Sequence, residues 1–294
     1  MVVAKKKILF LINPISGVGR QKRVEKLLEE HLDLEKYSYE IAYTKTANHA
    51  AELSKDAAEK KYKMVVAVGG DGSVNDVAKG LIGTNTALGI IAVGSGNGLA
   101  HHLNVPLNIS DAIAIINQGK ILDIDTASIN GHMFVSIAGV GFDALVAHEF
   151  AKTKKRGFFS YLRVALKEYM LYKPKRYKII TDGKVLKRKA LLISFANSDQ
   201  FGYNASIAPK AVINDGLIDI CIFRKVPIFL APYLASMMFI KKIDETPFME
   251  VIKVKEARII SKKNRTVHID GDPFEMPGEL VLKVNPSSLK VIVP

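Results

Sequence analysis

Cysteine occurs once in the 294 residues, at Cys221, which excludes an internal disulfide framework. None of the seven histidines has a cysteine beside it at zinc-site spacing, so a reduced, cytoplasmic setting is expected. Long apolar runs are also missing. The longest, Val226 to Ile240, contains Pro227 and Pro232 and is shorter than the roughly 20 residues a bilayer span requires. The apolar start Ile8–Ile12 is too short for the core of a secretion signal and is closed by Asn13-Pro14, so it reads as a first strand. There is no low-complexity stretch, and hydrophobic residues make up 48% against 24% charged, which rules out disorder of the whole chain and leaves room for about two globular domains.

Acidic residues are the scarcer charge, 29 against 42 Lys and Arg, for a net charge of +13. The excess is local: Ala151 to Ala190 carries 14 Lys or Arg against Glu168 and Asp182. Phe158, Phe159, Tyr161, Tyr169 and Tyr172 are interleaved with them. Such a stretch suits an interface where basic heads meet lipid phosphates at about 1 kcal/mol each and aromatic rings lie at headgroup depth. The plainer alternative is the solvated face of a basic protein. No recognisable nucleic-acid motif accompanies the charge, so the expected partner is an anionic membrane surface and not nucleic acid. A homo-oligomer is left open.

From Lys6 to about Gly119, short β-rich runs (Ile8–Ile12, Tyr39–Tyr43, Met64–Val68, Leu88–Ala92) alternate with helical periodicity over 20–32, 49–61, 74–81 and 111–117. Alternation of this kind predicts an α/β domain with a doubly wound parallel sheet, here residues 1–123. Residues 124–294 change to many strand-like runs with turn signals such as Asp182-Gly183, interrupted by helical insertions at Phe158–Leu171 and Ile228–Lys241, which predicts an antiparallel β-rich domain. The apolar faces of the two insertions read first as core, with an acceptor pocket as the alternative. Whether the last strand, Leu289–Val293, returns to the first domain is left open.

Ligands of a doubly wound sheet collect at the carboxyl ends of its strands. The predicted strands exit there into Asn13-Pro14-Ile15-Ser16-Gly17, Gly69-Gly70-Asp71-Gly72-Ser73-Val74-Asn75 and Gly94-Ser95-Gly96-Asn97-Gly98. Glycine- and hydroxyl-rich turns offer approachable N–H groups for phosphate oxygens at helix N-termini. Taken singly, Asn13-Pro14 is a turn, and Asp71 or Ser73 could be a helix N-cap. A P-loop and a dinucleotide fingerprint are absent. His101-His102, His49 with Glu52, and Met237-Met238 are assigned no function; the methionine pair reads as core filling.

Together these motifs resemble the diacylglycerol kinase catalytic-domain superfamily of lipid kinases, which includes bacterial diacylglycerol kinases and eukaryotic sphingosine kinases. The resemblance extends through Thr44 with Asn48-His49-Ala50, Gly139-Val140-Gly141-Phe142-Asp143, Asp215-Gly216-Leu217-Ile218-Asp219 and Asp270-Gly271-Asp272, and covers nearly the whole chain. It implies a phosphofructokinase/NAD-kinase-like first domain and a C-terminal antiparallel β-sandwich. It implies ATP contacts at Asn13, Pro14, Ile15, Ser16, Gly17, Thr44, Gly69, Gly70, Asp71, Gly72, Ser73, Val74, Asn75 and Ser95. It also implies a structural Mg2+ on Asp215 with the backbone carbonyls of Val212 and Leu217, matching the preference of a hard cation for oxygen.

The superfamily usually ends its late motif in Asp-Gly-Glu, with the Glu as proton acceptor; this chain has Asp272, one methylene shorter. Asp272, Asp270 and Asp71 are therefore the candidate catalytic carboxylates. The expected reaction is ATP- and magnesium-dependent phosphorylation of a primary hydroxyl of a membrane lipid, diacylglycerol first and a sphingoid base second, by a protein peripheral to the membrane. The alternatives are a soluble NAD-kinase-like enzyme and a non-catalytic lipid- or nucleotide-binding regulator.

Overall fold

Strands that are apolar at every position need cover on both faces. In the computed structural model, which describes residues 4–14, 16, 19, 23–46, 48–153, 158–261, 265–276 and 278–294, the chain forms two compact units, Met1–Ile124 with Ser287–Pro294, and Asp125–Pro286. The division falls one residue beyond the expected boundary.

In the first unit, β1 (Lys6–Ile12), β2 (Tyr37–Tyr43), β3 (Met64–Gly69) and β4 (Ala87–Ala92) alternate with α1 (Val24–His31), α2 (His49–Glu59) and α3 (Asp71–Leu81). The short α4 (Gly98–His102) and α5 (Ile109–Gln118) follow. The four strands are parallel in the order β2-β1-β3-β4, and β3 and β4 are buried along their whole length. Phe10, Met64, Val66 and Ile91 pack against Leu28 of α1 and Ile113 of α5. Helix α3 starts at Asp71, three residues before the apolar periodicity suggests, because the turn that leaves β3 is itself the first turn of the helix.

The second unit contains the later part of β5 (Ile121–Ile129), then β6 (His132–Phe134), β7 (Ile137–Gly141), α6 (Phe142–Ala151), α7 (Phe158–Leu171), β8 (Lys175–Thr181), β9 (Lys184–Ala190), β10 (Leu192–Ala196), β11 (Ile218–Phe223) and α8 (Ala231–Phe239). It closes with β12 (Met249–Val254), β13 (Glu256–Ile260), β14 (Arg265–Ile269), β15 (Asp272–Met276) and the early part of β16 (Leu280–Ile292). One antiparallel sheet runs β12-β11-β10-β7-β14-β15; in the other, β16-β13-β8-β9 are joined by the β5–β6 hairpin. Phe134, Phe195, Ile220, Ile259, Val267 and Leu282, drawn from both sheets, form one core.

Helices α6 to α8 cover the other face of the β7-containing sheet through Phe142, Leu145, Tyr172 and Leu234, and Met237 and Met238 fill gaps there. Helix α6 is not foreseen by the sequence pattern. The tail of α7 is tied to the segment before α8: Tyr169 Oη donates to the Val226 carbonyl at 2.6 Å, and Lys225 Nζ donates to the Tyr169 and Tyr172 carbonyls at 3.0 and 2.7 Å. The apolar faces expected as core are only partly so. Phe159, Leu162, Leu166 and Met170, a stripe at helical spacing on α7, are exposed, as are Phe229, Tyr233, Phe239 and Ile240 on and beside α8.

From Ser287 onward β16 belongs to the first unit, which answers the question of the last strand: Val291 pairs in parallel with Leu88, and Ile292 joins the core around Phe10. Leu289, Val291, Ile292 and Val293 are all at most 7% exposed. At about 1.5–3 kcal/mol for each buried side chain, their removal would use most of a domain's stability of about 5–15 kcal/mol. Truncation after Pro286 should therefore abolish amide-exchange protection of β3 and β4 while leaving β10 and β11 protected. Wild-type protection of β3 in the truncated chain would contradict this account of the last strand.

Candidate active site

The loops that leave β3 and β4 touch backbone to backbone. A Cβ on Gly94 would lie 2.4 Å from Gly70 Cα, so Gly94 accepts no side chain without moving the other loop, and one on Gly70 would make a tight contact of 3.3 Å with Gly94 Cα. Gly70 precedes the first turn of α3, whose leading N–H groups have no intrahelical partners. The loop after β1 joins the same place: Asn13 Nδ2 donates to Ser73 Oγ at 3.2 Å, and Ser16 Oγ donates to the Asn13 carbonyl at 2.9 Å. A Cβ on Gly69 would strike Ser73 Oγ at 2.3 Å and approach Ser16 Oγ at 3.6 Å. Thr44 follows β2 and its N–H donates to the Ile12 carbonyl at 3.0 Å, next to Asn13.

Four loops at the carboxyl edge of one sheet thus bring together Asn13, Ser16, Thr44, Gly69 to Ser73 and the glycines around Ser95. Gly72 and Ser95 are exposed, whereas Val74 and Asn75 are buried in α3. Pro14 lies exposed beside Asn13; Ile15 and Gly17 lie outside the described residues. A rim of hydroxyls and backbone N–H groups over a helix N-terminus is suited to an anionic, phosphate-bearing ligand.

Asp71 has a task of its own here. Its Oδ2 accepts the Asn97 N–H at 2.8 Å and its Oδ1 accepts the Gly98 N–H at 2.6 Å, at the start of α4. It caps α4, not α3, and holds the β4 loop against the first turn of α3. Gly96 leaves room for that carboxylate, since its Cβ would lie 2.6 Å from Asp71 Oδ2. Asn97, in the left-handed region at φ 53°, closes the loop by donating from Nδ2 to the Gly94 carbonyl at 2.8 Å. Its position between two glycines was the one sequence signal for this residue.

In the second unit, Asp270 and Gly271 form the two-residue turn between β14 and β15, with φ 48° and 92° and with Ile269 paired to Asp272. Asp-Gly is the chemistry such a turn demands. The Asp270 carboxylate is directed back into the unit: Oδ2 accepts the Val135 N–H at 3.0 Å, and Oδ1 accepts those of Ser136 and Ile137 at 2.9 and 3.1 Å. Asp270 therefore fastens the turn to the start of β7, a different task from the proton acceptor expected. Asp272 stands exposed at the head of β15.

Beside them lies a buried group that sequence reading did not join. Asp143 Oδ2 accepts Ser194 Oγ at 3.0 Å and meets His268 Nε2 at 3.2 Å, while Oδ1 accepts the Ala144 N–H at 2.8 Å. Gly139 makes the arrangement feasible, because its Cβ would sit 2.2 Å from Asp143 Oδ2.

The magnesium expected at Asp215 meets a competing cation. Asp215 Oδ1 accepts the Leu217 N–H at 3.0 Å, and Oδ2 accepts from Lys253 Nζ at 3.1 Å. Lys253 is directly opposite Asp219 in the β11–β12 register and reaches its Oδ1 at 3.2 Å and Oδ2 at 3.3 Å. Burial pushes the Asp219 carboxyl up against the pull of Lys253. Burial alone would lower the Lys253 ammonium, but the bonds and charges of Asp215 and Asp219 outweigh it and hold it above its ordinary value. Among the described residues no three His, Cys, Asp or Glu side chains are grouped to hold a metal. With Asp215 Oδ2 and both Asp219 oxygens facing the Lys253 ammonium, the carboxylates at this turn already have their cation and do not fit a divalent ion beside it.

A parallel-sheet unit whose loops converge on a helix N-terminus, continued by an antiparallel sandwich with a carboxylate turn, has the architecture of a two-domain kinase. Comparison with known proteins agrees. Residues 7–129 match the diacylglycerol kinase catalytic domain, and residues 136–293 match the YegS C-terminal NAD kinase beta sandwich-like domain. A diacylglycerol kinase of Bacillus subtilis (strain 168) is 26% identical over 292 residues, 94% of this chain and 93% of that protein. A Klebsiella pneumoniae (strain 342) protein named "Probable lipid kinase YegS-like" is 30% identical over 208 residues, 69% of this chain and 68% of that one. The crystal structure of a diacylglycerol kinase from Bacillus anthracis (Sterne) shares the fold, with a TM-score of 0.75 at 20% identity over 99% of this chain and 97% of that chain. The chain belongs to the diacylglycerol kinase catalytic-domain family of lipid kinases, in the form that carries a YegS-type C-terminal domain.

The two turn carboxylates should respond differently to neutralisation. Asp270→Asn loses charge-assisted bonds to three N–H groups and should cost about 2–4 kcal/mol in denaturant melts. Asp272→Asn, at an exposed position, should cost clearly less. Equal stability of the two variants would remove the anchoring role of Asp270.

Proposed function

We propose that this chain transfers the γ-phosphoryl group of ATP, taken up as its magnesium complex, to a primary hydroxyl of a membrane lipid, with diacylglycerol as first acceptor and a sphingoid base as second. The observation that carries the reading is the contact of the Gly70 and Gly94 backbones at the start of α3. Phosphoryl transfer asks a protein mainly for positioning and charge stabilisation. In this reading Asn13, Ser16, Thr44, Gly69 to Ser73 and Ser95 hold the triphosphate, Asp71 keeps their loops in register, and Val74 and Asn75, buried in α3, support the turn from within. The acceptor oxygen bonds to the γ-phosphorus as the bond to the ADP oxygen breaks, and Asp272 takes the hydroxyl proton. The names of the relatives support a lipid as the acceptor.

The same reading makes the chain a cytoplasmic protein that meets an anionic membrane surface from one side. Among the described residues no helix is long and apolar enough to cross a membrane. The exposed stripe on α7 and the exposed Phe229, Phe239 and Ile240 on and beside α8 have Arg163, Lys167, Lys173, Lys241 and Lys242 exposed close by in sequence. Exposed apolar side chains interspersed with cations match an anionic headgroup layer. Lys154, Lys155 and Arg156, the densest part of the basic stretch, lie outside the described residues.

With radiolabelled ATP, magnesium and mixed micelles, the full chain should label diacylglycerol. Label in NAD, or nucleotide binding without any turnover, would overturn the proposal. Asp272→Asn should lower kcat by about 10²–10⁴-fold with little change in nucleotide affinity; full activity in that variant would reject Asp272 as the base. Binding to phosphatidylserine vesicles should weaken with added salt, and should fall by about tenfold or more when Phe159 and Met170 are both replaced by Ser. Vesicle binding indifferent to both changes would remove the α7 face as a membrane contact.

A further inference from the structure

Asp215 and Asp219 place two carboxylates within reach of one ammonium group, and Asp219 is only 3% exposed. Buried carboxylates need a counter-charge, and the resemblance to diacylglycerol kinases implies a divalent ion as its source. We propose that in this chain Lys253 is that counter-charge, a covalently tethered cation that fixes the 213–219 turn and makes a bound divalent metal unnecessary there.

Three features support it. The register of β12 against β11 sets Lys253 opposite Asp219, so the ammonium reaches both Asp219 oxygens and Asp215 Oδ2 without leaving its strand. The turn is already fastened by backbone donors: Leu217 N–H to Asp215 Oδ1 at 3.0 Å, and Gly216 N–H to Asp125 Oδ2 at 2.7 Å. The Asp125 N–H in turn donates to the Ile213 carbonyl at 2.8 Å. A divalent ion on Asp215 would have to displace the ammonium or share a carboxylate with it, at a separation where like charges repel strongly.

The inference is independent of the kinase reading, because its test needs no nucleotide and no turnover. The measurement is the thermal midpoint of the full chain, free of nucleotide, in EDTA and in millimolar Mg2+ or Ca2+. Wild type should melt at the same temperature in all three, since a ligand that binds only the folded state must raise the midpoint. Lys253→Met should melt about 2–8 °C lower in EDTA. Mg2+ or Ca2+ should recover part of that loss, and the recovery should vanish when Asp215→Asn is added. Lys253→Arg should remain insensitive to divalent ions. A saturable rise of the wild-type midpoint that Asp215→Asn removes would overturn the proposal, and so would a Lys253→Met variant that melts like wild type. Should Lys253→Met fail to fold, wild type and Lys253→Arg decide alone: insensitivity of both supports the tethered cation, and a saturable rise in wild type overturns it.

Discussion

Two glycine backbones in contact set the geometry on which the first unit's site rests. Gly70 closes β3 and Gly94 closes β4, and the space between them is too small for a single methyl group. That contact draws the β4 loop over the start of α3, and the Asp71 carboxylate locks it by accepting two N–H groups of the α4 start. The Asn13–Ser73 bond adds the β1 loop. A side chain at Gly94 would push apart the elements that share one anionic ligand in the proposed function. The cost of such a change would therefore appear in binding as well as in stability.

Several carboxylates in this chain act as fasteners of its structure. Asp71 and Asp270 are acceptors for backbone N–H groups and act as fasteners of loops. Asp143 collects a serine, a histidine and a backbone N–H inside the second unit. Asp215 and Asp219 share one lysine. Asp272, the base in the proposed reaction, is exposed at a strand start directly after the two-residue turn.

Much of this was legible in the residues. Fully apolar runs such as Met64–Gly69 announced buried parallel strands, and the glycine-rich exits marked the loops that the structure brings together. Asp182-Gly183 and Asp270-Gly271 were readable as hairpin turns because few residues other than Gly, Asn and Asp tolerate their positive φ. Helix α6 escaped because Phe142–Ala151 carries apolar or small residues on several sides and shows no single stripe. The Asp143–His268 pair escaped because 125 residues separate its members, and Lys253 because cross-strand register is not written in either strand alone. The exposed stripe on α7 has the spacing of a core stripe; only its surroundings distinguish the two.

The central claim is that one anionic ligand is gripped jointly by the loops after β1, β3 and β4. The most direct measurement is a crystal structure of the full chain with a non-hydrolysable ATP analogue and magnesium. The account predicts phosphate oxygens within hydrogen-bond distance of N–H groups in the Gly70–Ser73 turn and of the Asn13–Ser16 loop. A triphosphate bound elsewhere, with these loops unchanged and empty of ligand, would contradict it.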